Sequence, residues 1–280
     1  MDQVNLDAWV GKTVSDVGGV GAATAIKVHA TIGRSGDPAP RAGDLLPPLW
    51  HWSAFAPTAH TDLLGADGHP APGTLLPPMG LPRRMWAGGA LGFHAPVRVG
   101  DTLHRHTSVR SVETKTTRTG RPMALVTLDH MIFGPQGLAI EERQDIVYLP
   151  MPERFVPPHP RAMPADTAES MEMTPTLLFR YSAVTFNAHR IHYDLDYAQS
   201  VEKYPGLVVH GPLQAALLMR HATEQAGSQP VYFDFRAVHP VFAGTPLDIC
   251  ATEEDGTVVL FTGQNGHQGM QATAVFEATQ

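Results

Sequence analysis

The chain repeats itself, and that repeat limits what it can fold into. Pro96-Val97-Arg98-Val99-Gly100-Asp101-Thr102-Leu103 returns as Pro240-Val241-Phe242-Ala243-Gly244-Thr245-Pro246-Leu247. Pro, Val, Gly and Leu match at a constant offset of 144 residues in a chain of 280. The stretches downstream of the two copies also share a pattern. After the first, Leu103, Arg105, Thr107 and Val109 alternate with more polar partners, the pattern of a half-buried strand. Thr119-Gly120-Arg121 is a turn signal, Met123 to Phe133 a second strand, Gly134-Pro135-Gln136-Gly137 another turn, and Leu138 to Tyr148 a third strand. After the second copy come Leu247 to Glu253, an Asp255-Gly256 turn, Val258 to Thr262, an Asn265-Gly266 turn and Met270 to Glu277. Asp-Gly and Asn-Gly favour tight hairpins, so each half should end in a three-stranded antiparallel meander.

One apolar helix is expected ahead of each meander. In the second half it starts at Gly211-Pro212 and runs through Leu213, Ala216, Leu217 and Arg220, with proline where a first helical turn tolerates it. In the first half the counterpart is Pro47 to Phe55. A helix wrapped by an antiparallel sheet, twice in tandem, is an α+β plan. The expected divisions are a first module over 1–150, a Pro-rich connection over 151–168 and a second module over 169–280. Pro57 to Pro82, rich in Pro and Gly, reads as an insertion in the first.

Composition removes several classes of function. A hydrophobic fraction of 43% with 17% charged residues describes a packed globule. A net charge of −7 leaves no basic excess to neutralise phosphates, so no nucleic-acid partner is expected. Cys250 is the only cysteine, which fits a reducing cytoplasm. The start Met1-Asp2-Gln3-Val4 lacks the form of a signal peptide, and no apolar run reaches membrane-spanning length. The expectation is a cytoplasmic protein with no membrane partner.

Chemistry concentrates in Phe186-Asn187-Ala188-His189-Arg190-Ile191-His192-Tyr193-Asp194, which packs two histidines, a carboxamide, an arginine and a carboxylate into nine residues. Thr176 to Ser182 reads as a strand, which would make this segment an irregular overhang, the usual place for catalytic groups. A polar loop of satisfied histidines is the plain alternative. Downstream, Val209-His210-Gly211-Pro212 opens the apolar helix, where the Gly211 N–H would point out at the positive end of the macrodipole. A histidine to move a proton and an N–H to hold a developing enolate suit water addition to an unsaturated thioester.

On those residues, the chain resembles the MaoC-like, hydroxyacyl-thioester dehydratase type 2 family. The hydration motif of MaoC-like enzymes reads Asp-x-Asn-Pro-x-His, followed by His-Gly at the central helix. His192 falls on the motif histidine, Asn187 on its aspartate, His189 on its asparagine and Arg190 on its proline, while His210-Gly211 matches the helix start. Pro47-Pro48-Leu49-Trp50-His51-Trp52, Leu81-Pro82-Arg83-Arg84-Met85-Trp86-Ala87-Gly88-Gly89 and Gln144-Asp145-Ile146-Val147-Tyr148 carry the resemblance over most of the chain. It implies a double hotdog fold and a hydro-lyase that needs no cofactor or metal. It further implies reversible hydration of an acyl-CoA, 3-methylfumaryl-CoA or itaconyl-CoA giving citramalyl-CoA. A fatty-acid-type 3-hydroxyacyl-thioester dehydratase is the alternative on the same chemistry. A hotdog thioesterase or a non-catalytic acyl-CoA-binding module are the alternatives without it.

The implied catalytic set is His192, Asn187, His189 and Gly211, with Arg83, Arg84, Trp86, His210 and Arg190 on the substrate. The departure at 187 matters, because asparagine cannot accept a proton at neutral pH. Proton transfer then falls to His192, with His189 as helper or replacement. Arg83 and Arg84 offer a fork for the free carboxylate of a C5 dicarboxylic acyl group. The first half has Gly33-Arg34-Ser35-Gly36-Asp37-Pro38 at the equivalent place, without histidine, so one catalytic centre is expected for the pair. Two modules in one chain supply the pairing of single hotdogs, and a homodimer of the whole stays open. His189, His192 and Asp194 as a zinc or iron site is the remaining rival.

Overall fold

The computed structural model describes residues 5–117, 120–254 and 256–277. Met1 to Val4, Thr119 of the first expected turn and Asp255 of a later one lie outside the described residues. The first half runs β1 (Thr13–Gly18), α1 (Ala22–Ile32), β2 (Arg83–Phe93), β3 (Leu103–Thr116), β4 (Pro122–Gly134) and β5 (Gly137–Leu149). The second runs β6 (Glu169–Glu172), α2 (Pro175–Thr185), α3 (Leu195–Ser200), α4 (Gly211–Ala226), β7 (Tyr232–Ala237), β8 (Pro246–Glu254), β9 (Thr257–Gln264) and β10 (His267–Val275). The strands form one antiparallel sheet in the order β1-β3-β4-β5-β2-β7-β10-β9-β8-β6. Outward from the centre, each half has the same strand order, and the architecture is the expected α+β tandem of two hotdogs.

The sequence repeat is a structural one. Gly100 and Gly244 both take positive φ, 100° and 89°, in the turns that enter β3 and β8. The residues two before them form matching bridges, Leu45 with Arg98 and Val208 with Phe242. The halves join where β2 pairs with β7, from Gly88 opposite Arg236 to Gly92 opposite Tyr232. A Cβ at Gly88 would lie 2.6 Å from Phe235 O, and one at Gly89 would lie 2.5 Å from Arg143 O. Glycine at both positions lets the neighbouring backbones approach.

The expected helix after Gly211 is α4, and its Leu213, Leu217, Leu218 and Met219 are buried against the sheet. Each such side chain contributes about 1.5–3 kcal/mol by leaving water. Its first-half counterpart is not a helix over 47–55 but a single 3-10 turn, Trp50–Ser53. Pro47, Pro48 and a left-handed Leu49 (φ 69°) precede it. Consecutive prolines supply no N–H to a helical ladder. The turn is held by a buried carboxylate instead: Glu142 accepts from His51 Nε2 and Trp52 Nε1, both at 3.0 Å, and from Gln144 at 2.7 Å. Burial pushes the Glu142 carboxyl up, but the His51 and Gln144 bonds outweigh it and hold it near about 2.

Thr176 to Ser182 is not a strand. It lies in α2, whose N-cap Thr174 accepts from Leu177 N at 3.1 Å and whose first turn contains Pro175. Leu177, Leu178, Tyr181 and Ser182 form its buried face, a helical spacing. One apolar cluster runs through both halves, including Val28, Leu49, Leu91, Leu178, Leu217 and Phe233. No helix among the described residues is long and apolar enough to cross a membrane.

Candidate active site

Leaving α2, the chain turns at Phe186, which takes a left-handed conformation (φ 53°). Asn187 Oδ1 then accepts the His189 N–H at 2.9 Å, an Asx turn that fixes the next residues. A 3-10 turn, Arg190–His192, comes next, and Asp194 caps α3 by accepting from Tyr197 N at 3.0 Å. Val208 N–H donates to Ile191 O at 2.9 Å, which brings this segment against the start of α4.

His192 is buried, with Nδ1 2.7 Å from Val208 O. A carbonyl only accepts, so Nδ1 carries the hydrogen and Nε2 keeps its lone pair. The ring stacks on His210, centroids 3.6 Å apart and tilted 22°. His210 is fully buried and its Nε2 lies 2.8 Å from Ser182 Oγ. Burial, then the neighbouring His210 and His189, push His192 well below its ordinary pKa, and burial takes His210 down to about 3. Both rings are neutral at pH 7. Beside them Gly211 opens α4, and its N–H has no intrahelical acceptor. A Cβ there would meet Trp86 O at 3.7 Å and Met270 Cε at 3.8 Å, ordinary contacts.

The 57–82 insertion lies over this segment. Arg190 donates from its backbone N to Asp67 O (2.9 Å) and from Nη1 to Ala66 O (3.0 Å). Gly68, at φ 88°, sits so close to Ala188 O that any Cβ would overlap it. The loop thereby delivers His69, whose ring centroid is 4.2 Å from that of His189. His69 Nδ1 lies 2.9 Å from Asp67 Oδ2, and its backbone N–H donates to Asp67 Oδ1 at 3.0 Å. Burial lowers the His69 imidazole to about 4. Burial raises the Asp67 carboxyl, but its bonds to His69 prevail and leave it near about 2. On the other side His189 Nε2 meets Glu202 Oε1 at 3.3 Å, and Arg83 Nε donates to Glu202 Oε2 at 3.2 Å and also bonds Tyr204.

These groups face a cleft of about 1260 Å³ between the two halves, lined among others by Trp52, His69, Arg84, Trp86, His192 and Gly211. Of the residues singled out in the sequence, His192, His189, Asn187 and Gly211 come together. Trp86 forms a cleft wall, its Nε1 donating to Gly88 O at 2.8 Å and its ring edge-on to Trp52. His210 lies behind His192. Arg190 is spent on Asp194, bonded at 3.0 and 2.8 Å, and lies over the Tyr197 ring. Arg83 is occupied by Glu202. Arg84 keeps most of its donors, with Pro70 O at 3.3 Å. With Asp194 capping α3, His189, His192 and Asp194 do not assemble as a metal set. Asp67, His69 and His189 bring potential ligand atoms within 4.8 Å of one another, yet Asp67 is bonded to His69 and His189 to Glu202. Sequence reasoning missed Asp67, His69, Glu202 and Ser182. The one local signal was Asp67-Gly68-His69 inside the insertion.

A sequence model of the hydroxyacyl-thioester dehydratase type 2 family matches residues 49–243. Mesaconyl-C(4)-CoA hydratase of Chloroflexus aurantiacus is 41% identical over 277 residues, covering 98% of each chain. The mitochondrial hydroxyacyl-thioester dehydratase type 2 of Schizosaccharomyces pombe is 29% identical over 74% of this chain and 78% of its own. Among solved structures, a MaoC-like dehydratase from Phytophthora capsici aligns with a TM-score of 0.73 at 15% identity, over 99% of this chain and 100% of that one. A conserved Mycobacterium tuberculosis protein with a double hotdog fold aligns at 0.59 and 14% identity, over 95% of each chain.

Proposed function

The chain belongs to the hydroxyacyl-thioester dehydratase type 2 family, and from that premise we propose that its cleft adds water reversibly to a dicarboxylic enoyl-CoA, 3-methylfumaryl-CoA, giving citramalyl-CoA. The protein is a hydro-lyase of acyl thioesters. The observation that carries the reading is His192 with Nδ1 tied to Val208 O, leaving the Nε2 lone pair to a cleft that Gly211, at the start of α4, also lines. The water oxygen adds to Cβ as an imidazole withdraws its proton, and the π pair moves through Cα onto the thioester oxygen. Gly211 N–H meets that oxygen, and one such donor contributes about 3–4 kcal/mol in the transition state. The enolate then takes a proton at Cα. His192 Nε2 engages the water, and Asn187, its Oδ1 spent on His189, acts by shaping the turn.

The dicarboxylic substrate rests on Arg84 and on the relative named for mesaconyl-C(4)-CoA. Arg84 faces the cleft with donors to spare, as a free carboxylate requires. Arg121 and Arg154 also line the cleft and have no acidic partner among the described residues, which suits the phosphates of CoA. We read 1–150 as the module that shapes the acyl pocket and 169–280 as the one that carries the chemistry, joined by 151–168. A spectrophotometric panel of branched, dicarboxylic and straight enoyl-CoAs tests the assignment, with His192→Ala as control. Turnover should be fastest on the C5 dicarboxylic esters and fall by about 10²–10⁴-fold in His192→Ala. Fastest turnover on straight monocarboxylic chains would point to the fatty-acid-type dehydratase. Tight binding of the esters without water addition would leave only an acyl-CoA-binding module.

A further inference from the structure

We propose that His69, backed by Asp67, is the proton carrier of this reaction, an imidazole–carboxylate pair standing in for the carboxylate that position 187 lacks. The proposal rests on the hydration reading above and deepens it. Three observations support it. The insertion is fastened to the catalytic segment by both Arg190 bonds and the Gly68 approach, so His69 belongs to the site and not to a free loop. Its imidazole lines the cleft, its side chain 25% exposed against 5% for that of His189. And Asp67 can only accept, so Nδ1 carries the hydrogen and Nε2 offers a lone pair.

The counter-charge decides between the imidazoles. A proton taken from water makes an imidazolium, and an ionised carboxylate behind the ring stabilises that cation. His69 has Asp67 at 2.9 Å. His192 has a backbone carbonyl on one side, His210 stacked at 3.6 Å and His189 at 5.3 Å, with no carboxylate in contact. His189 shares Glu202 with Arg83, which already neutralises that carboxylate. The groups facing His69 are Asp67, Arg84, His189 and His192; Arg84 opposes the imidazolium but bonds Pro70 O and not Asp67, which is the one anion among them.

In the forward direction His192 Nε2 accepts one O–H of the water and holds it. The other O–H proton passes to His69 Nε2 as the oxygen bonds to Cβ and the C=C pair moves onto the thioester oxygen at Gly211. The His69 imidazolium, its charge matched by Asp67, returns that proton to Cα as the enolate pair forms the C–H bond. One water is consumed and both histidines end as they began. The reverse path removes the Cα proton with the same His69 Nε2.

The test uses His69→Ala and Asp67→Asn in the full chain. His69→Ala should lower kcat by about 10²–10⁴-fold with KM little moved. Asp67→Asn keeps the imidazole but removes its counter-charge. It should lower kcat and move the acid limb of the kcat/KM profile to lower pH, since an imidazolium without its carboxylate loses its proton more readily. A residue that merely packs the loop would not move that limb. If His69→Ala does not fold, the Asp67→Asn profile decides alone, and an unmoved limb overturns the proposal. His69→Ala with near-parent kcat, beside an inactive His192→Ala, assigns the proton to His192 and overturns it too. Full activity in both histidine variants would fail the hydration site itself.

Discussion

Arg83 and Arg84 are neighbours in sequence, yet the alternation of β2 sends them to different work. Arg83 bonds Glu202, which is 2% exposed, and Tyr204. Arg84 has Pro70 O at 3.3 Å and the cleft in front of it. Removing Arg84 should therefore raise KM for dicarboxylic CoA esters by about 10–100-fold, the value of one to two charge-assisted hydrogen bonds. Crotonyl-CoA, lacking the carboxylate, should change little, and equal losses on both substrates in a steady-state comparison would remove the role. Arg83→Ala should instead leave Glu202 buried and short of a partner, costing about 3–5 kcal/mol of stability in denaturant melts. The Arg-Arg pair was legible in the sequence. Which of the two was free was not, because Glu202 lies 119 residues from Arg83. The same distance problem hid His69, while the dense segment at 186–192 was visible because its members are contiguous.

At the scale of elements, the insertion depends on one glycine. Gly68→Ala adds a Cβ where Ala188 O already sits and requires an alanine at φ 88°. The loop should lift from Ala188 and Arg190, taking His69 out of the cleft while the sheet stays intact. Hydrogen exchange should rise over 60–72 and at the Arg190 amide, with turnover falling and the melting temperature nearly unchanged; unaltered protection there would refute the docking role. The meanders and α4 were readable because hairpin glycines and strand alternation are local signals. α2 resembles a strand in sequence because Thr176 to Ser182 is rich in apolar and aromatic residues. Its Thr174-Pro175 start and its helical burial spacing are the signals that decide for a helix. The 3-10 turn at Trp50–Ser53 shows a different limit. The matching bridges at Leu45 and Val208 set Pro47-Pro48 against His210-Gly211. Two prolines offer no N–H, so the first half lacks the oxyanion donor as well as the histidines. The sequence announced only the second loss.

Over the whole molecule, the site and the core share a refusal to hold extra protons, and this ties stability to pH. The pKa values of His69, His130, His192 and His210 are depressed, burial being the leading cause in each. The unfolded chain binds protons on these rings as pH falls below about 6.5, and the folded chain does not. Unfolding is then favoured as pH falls through that value, by up to about 1.4 kcal/mol per pH unit for each histidine. Four such groups approach about 5.5 kcal/mol per unit, against a typical total stability of about 5–15 kcal/mol. Below about pH 4.5 Glu142 and Asp67, both held near about 2, add loss of the same sign, because their stabilising bonds need the ionised form. Thermal melts from pH 7.5 to 5 should show the midpoint falling steadily once pH passes about 6.5. His130→Gln, outside the proposed chemistry, should flatten that slope by about a quarter. A midpoint flat between pH 7 and 5 would mean that these rings take up protons in the folded protein as readily as in the unfolded chain. His192 would then carry a proton below about pH 6.5, and its Nε2 would have no lone pair to offer the water there.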